Sequence, residues 1–78
     1  MKPESEWRGG MNDIIYMTDE NGDLAIMWFG RVLARVKGTQ PYTSVSESAS
    51  LVTASHPGGA DVIDVSTPAA PMLVERDA

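Results

Sequence analysis

Ile14-Ile15-Tyr16-Met17-Thr18-Asp19-Glu20-Asn21-Gly22-Asp23-Leu24-Ala25-Ile26-Met27-Trp28-Phe29 carries the strongest structural signal in the chain. At its centre, Asn21-Gly22 suits a two-residue type I′ turn, because both central residues of that turn need positive φ. Apolar runs flank it, Ile14 to Thr18 before and Leu24 to Phe29 after. The two runs read as the arms of a β-hairpin. A turn centred there sets Met17 opposite Ile26, Ile15 opposite Trp28 and Ile14 opposite Phe29. Carried further, the pairing brings Met11 to Val32 and Trp7 near Val36. One face of this long ribbon then holds Trp7, Met11, Ile15, Met17, Ile26, Trp28, Val32, Ala34 and Val36. Cross-strand pairs of such residues stabilise a sheet by about 0.2–1 kcal/mol each. Gly9-Gly10 and Gly30 are natural bend points along it.

A helix competes for part of this stretch. Ala25, Trp28, Phe29, Val32, Leu33 and Val36 recur at helical spacing, and Gly38 could stop the helix. Yet residues 31–37 also alternate as a strand. Gly30 would sit inside the helix at a cost of about 1 kcal/mol relative to Ala. Trp, Phe and Val favour strands. Together with the turn, these features favour the strand reading.

Beyond residue 38 the sequence changes character. All five aromatic residues lie in the first 42 positions, and six of the seven serines lie after position 43. Ser44-Val45-Ser46-Glu47 matches a capping box, which allows a short helix near 45–54. The same stretch alternates, and its low hydrophobicity also allows a loop. Ser55-His56-Pro57-Gly58-Gly59 has loop composition. Asp61 to Ser66 reads as a short strand with Val62 and either Ile63 or Val65 buried. Pro68 and Pro71 hold the chain extended up to the apolar triplet Met72-Leu73-Val74. The expected fold is therefore a small, mainly β domain: a long N-terminal hairpin, one further short strand and a helix or loop between them. Its organisation divides into an N-terminal arm over 1–12, a β-rich domain over 13–66 and an extended, proline-containing arm over 67–78.

Composition narrows the function. At 78 residues with no cysteine and a single histidine, the chain has neither disulfides nor a thiolate or multi-histidine metal site within itself. A core this small is marginal, and a partner chain is the remaining staple. The net charge of −5 opposes binding to a nucleic-acid backbone or to an anionic membrane surface. The N-terminus lacks the apolar core of a signal peptide, and no apolar run approaches a membrane span. The expected location is the cytoplasm or a virion-like assembly.

The chemical motifs are weak. Asp19 to Asp23 spaces oxygen ligands as a calcium loop does, but Leu24 and Gly30 stand where that loop needs Gly and Glu. His56 precedes a Pro-Gly-Gly run, a poor platform for a base, and reads as an exposed loop residue. No serine lies in a nucleophile elbow. The glycine pairs open no phosphate-binding loop. No catalytic, cofactor or metal residue is assigned, and no small-molecule substrate is expected. Trp7, in its polar, glycine-flanked arm, and Met72, Leu73 and Val74 are the candidate partner-binding residues. These features favour a non-enzymatic structural protein attached to a larger assembly or homo-oligomer, such as a virion accessory or capsid decoration subunit. The alternative is a small soluble inhibitor that occludes an enzyme or nucleic-acid-binding complex.

Overall fold

The computed structural model describes residues 14–77 and builds them entirely from β-structure. The strands are β1 (Ile14–Thr18), β2 (Leu24–Trp28), β3 (Arg31–Val36), β4 (Ser44–Ser48), β5 (Leu51–His56), β6 (Gly59–Asp64) and β7 (Met72–Glu75). They form two antiparallel sheets, ordered β1-β2-β3 and β4-β5-β6-β7. Within each sheet, strands pair with their sequence neighbours, so both sheets are meanders. The described residues contain no helix long and apolar enough to cross a membrane.

The hairpin around Asn21-Gly22 exists, but one residue out of the expected register. Ile14 pairs with Trp28, Tyr16 with Ile26 and Met17 with Ala25. The cause is Asp19. Its Oδ1 accepts the N–H groups of Asn21 at 2.8 Å and Asp23 at 3.0 Å. The Gly22 N–H donates to the Asp19 carbonyl at 3.0 Å, and Asp19 N–H donates to the Asp23 carbonyl at 2.9 Å. Gly22 has a φ of 80°, whereas Asn21 stays at negative φ. This is a type I turn closed by a left-handed glycine, not a type I′ turn. One residue of slip exchanges the two faces of a strand. Ile14 and Tyr16 therefore turn towards the core, while Ile15 and Met17 are exposed.

The long ribbon ends at Trp28. Phe29 and Gly30 take φ values of 49° and 77°, and Trp28 pairs with Arg31 across them. This tight turn sends β3 back along β2, which also excludes the helix over 25–36. A bulge leaves Leu33 unpaired between Val32, opposite Met27, and Ala34, opposite Ile26. It changes the phase of β3: Ala34 and Val36 pack on the core, while Val32 is exposed. The expected pairings of Met11 and Trp7, and the arm over 1–12, lie outside the described residues.

The helix allowed over 45–54 is replaced by β4 and β5. Val52 and Ala54 are both fully buried and stand two residues apart, a spacing one strand face satisfies and a helix face does not. Ala49 and Ser50 form the connecting turn with φ values of 51° and 66°. The strand expected near 61–66 is β6, with Ile63 on its buried face and Val65 buried just beyond it; Val62 is only half-buried. Within residues 67–77 the chain returns to the second sheet. Met72–Glu75 pairs with β6 as β7, the edge strand of the second sheet. Leu24 and Ile26 of the first sheet meet Tyr42, Val52, Ala54, Ile63 and Val65 in one core shared by both sheets.

Candidate functional site

The polar residues of the interior converge on Asp61, at the start of the alternation that buries Ile63 and Val65. Its carboxylate is fully buried. The Tyr42 hydroxyl donates to Oδ2 at 2.5 Å, and Arg76 Nη2 donates to the same oxygen at 3.3 Å. Oδ1 accepts the backbone N–H of Asp77 at 2.9 Å. Arg76 also donates to the Lys37 carbonyl, and Thr39 donates to Asp77. The hub thus ties the end of the chain to the segment after β3. Burial alone would raise the Asp61 pKa. The Tyr42 hydroxyl, the Asp77 amide and the charges of Arg76 and His56 outweigh it and hold the carboxyl below its ordinary value. For Tyr42, burial and then Asp61 push the phenol up to about 12.

His56 joins this hub instead of lying exposed in a loop. It ends β5 on the face that carries Val52 and Ala54, and its side chain is fully buried. Pro57-Gly58 is a two-residue connection, with His56 pairing Gly59 across it. His56 Nδ1 accepts the Gly58 N–H at 3.0 Å. A neutral ring in that position carries its proton on Nε2. Nε2 lies 2.9 Å from Asp77 Oδ1 and 3.8 Å from Asp61 Oδ1, yet neither oxygen is aligned to accept a hydrogen bond. The contact is electrostatic.

His56, Asp61 and Asp77 stand close enough for one cation. The tautomer opposes that use. A metal needs the Nε2 lone pair, which places the ring proton on Nδ1, where the Gly58 N–H already points. The Arg76 guanidinium at Asp61 adds a positive charge to the same place. Burial also bars a substrate from His56. The chemistry that suits the cluster is structural: an ionic network inside a small cysteine-free core, satisfied at the Asp61 carboxylate and leaving only His56 Nε2 without a hydrogen-bond partner among the described residues.

The other sequence candidates separate. In the Asp19–Asp23 loop, the oxygens of Asp19 are occupied by backbone N–H groups and by Arg35, 3.2 Å away. Those bonds, led by the Asp23 amide, lower its pKa. Trp28 stands against Phe29 edge-to-face, ring centroids 4.9 Å apart. Met72, Leu73 and Val74 lie together on β7, 68%, 46% and 60% exposed. Trp7 lies outside the described residues. The hub was missed in the sequence because its members come from positions 42, 56, 61, 76 and 77. The one local signal is the alternation Val52-x-Ala54-x-His56 running into Pro57-Gly58, which puts the histidine on the buried face.

The chain matches no protein-family model, no curated protein and no solved structure.

Proposed function

We propose that the chain is a non-enzymatic attachment protein that adds β7 to a strand of a neighbouring, different protein in a larger assembly. The observation that carries this reading is β7 itself: three adjacent, exposed apolar side chains on a strand at the edge of its sheet. An edge strand presents unpaired N–H and C=O groups, the template used in β-addition. Fully burying a large apolar side chain contributes about 1.5–3 kcal/mol. More than half of that surface is exposed on average, so covering all three contributes roughly 3–5 kcal/mol. That reaches only the low end of an association cost of about 4–15 kcal/mol, before main-chain bonds are added. One contact of this kind is weak. Repeated contacts in a lattice gain avidity, which favours an assembly subunit over a one-to-one inhibitor. A virion accessory or capsid decoration subunit is the concrete form of this role. The net charge of −5 on each copy opposes pairing with itself.

The test places a photo-crosslinking residue at position 74, or at position 53 on the central strand β5, in assemblies isolated from the native source. One subunit type should be captured from position 74 and none from 53. A Met72→Lys/Val74→Lys variant should melt as the parent does and lose attachment. Capture from position 53 alone, or undiminished attachment of the variant, would overturn the proposal.

A further inference from the structure

We infer that the cavity where the two sheets meet beside β1 and β4 binds a small organic cation with an apolar body. The cavity has a volume of about 780 Å³, within the range of small-molecule sites. Ile14, Leu33 and Val65 supply aliphatic walls, and Trp28 and Tyr16 supply aromatic ones. The bulge in β3 matters here, because Leu33 is the residue it leaves unpaired. Trp28 is 38% exposed, with its ring braced edge-on by Phe29. The site is thus partly built before any ligand arrives.

Charge selects among ligands. Among the described residues, Glu47 is the only charged side chain lining the cavity, and it makes no ion pair with any of them. Its charge is felt at Tyr16, another lining residue: burial first, and then the Glu47 charge, raise the pKa of that phenol. An anion would meet this carboxylate with no Lys or Arg among the described lining residues to balance it. A neutral apolar ligand would leave the Glu47 charge without a counterion. An alkylated ammonium satisfies both surfaces. Its charge is balanced by Glu47, and its methyl groups rest on the indole and phenol rings, whose faces attract cations. Thr67, also in the lining, offers a hydroxyl to a polar group on the ligand.

This inference uses no atom of β7, so it stands or falls separately from the attachment role. The full chain is titrated with benzyltrimethylammonium, with its neutral neopentyl isostere and with benzoate, followed by NMR chemical shifts. The cation should saturate the resonances of Tyr16, Trp28 and Ser66 and bind at least about tenfold tighter than the isostere. Benzoate should not bind. Glu47→Gln, on an exposed side chain, should leave the melting temperature unchanged and weaken the cation several-fold while leaving the isostere unaffected. Equal binding of cation and isostere, binding of benzoate, an unaltered Glu47→Gln variant, or no saturable shift at millimolar cation would each overturn the proposal.

Discussion

Replacing Asp61 with Asn removes one charge from the most connected carboxylate of the core while nearly preserving its shape. Three donors point at it: the Tyr42 hydroxyl at 2.5 Å, the Asp77 amide at 2.9 Å and Arg76 at 3.3 Å. Hydrogen bonds to a charged group contribute about 1.5–3 kcal/mol each, against about 0.5–1.5 for neutral pairs. Losing about 1 kcal/mol at each bond predicts a loss of about 3 kcal/mol. The asparagine amide adds to this, because its NH₂ must face at least one existing donor. A core of this size leaves about 3–5 kcal/mol of net stability, so Asp61→Asn should sit near the edge of unfolding. Urea unfolding at pH 7, followed by far-ultraviolet circular dichroism, measures the loss. Tyr42→Phe in a double-mutant cycle should show coupling with Asp61→Asn. A loss below about 1 kcal/mol, the level of an exposed ion pair, would refute the structural role of the hub.

Stability should fall at both ends of the pH scale. Asp61 has a folded pKa below the ordinary 3.8, so its contribution is present above that value and disappears as pH drops through the folded pKa. Tyr42 has its pKa raised from 10.0 to about 12, so its contribution is intact below pH 10 and is lost between pH 10 and about 12. Urea midpoints against pH check both, and a Tyr42→Phe variant should lose less stability than the parent between pH 10 and about 12. Gly22→Ala should cost at least about 1 kcal/mol, by thermal melt, because φ is 80° and the new Cβ would meet Pro41 Cβ at 2.5 Å. Ala49→Asn/Ser50→Gly should instead raise stability by about 1 kcal/mol in the same assay, since both positions hold left-handed φ without the residues that favour it.

The strands themselves were legible where patterning was strong. Ile14 to Thr18 and Leu24 to Phe29 nearly match β1 and β2, and the short strand near residue 61 is β6. Their facing was not legible. Asn21-Gly22 suggests a type I′ turn, but the Asp19 carboxylate two positions earlier makes the type I turn with a glycine bulge the better one. That single added residue sent Ile15 and Met17 outwards and Tyr16 inwards. The turns at Phe29-Gly30 and Ala49-Ser50 were hidden for a different reason. Phe, Ala and Ser have little preference for positive φ, so tertiary pairing, not local propensity, sets them. His56 looked like a loop residue because Pro57-Gly58-Gly59 hides a two-residue hairpin connection. Its burial depends on Asp61 and Asp77, whose approach is a property of the fold.

The proposed attachment rests on β7, and amide hydrogen exchange reads that strand directly. The full chain is compared free and bound in the assembly isolated from its native source. Pairing with a partner strand should raise the protection of residues 72–75 by at least about tenfold, while β4, at the opposite edge of the same sheet, keeps its free-state exchange. Unchanged exchange at residues 72–75, with protection gained elsewhere on the chain, would contradict attachment through β7.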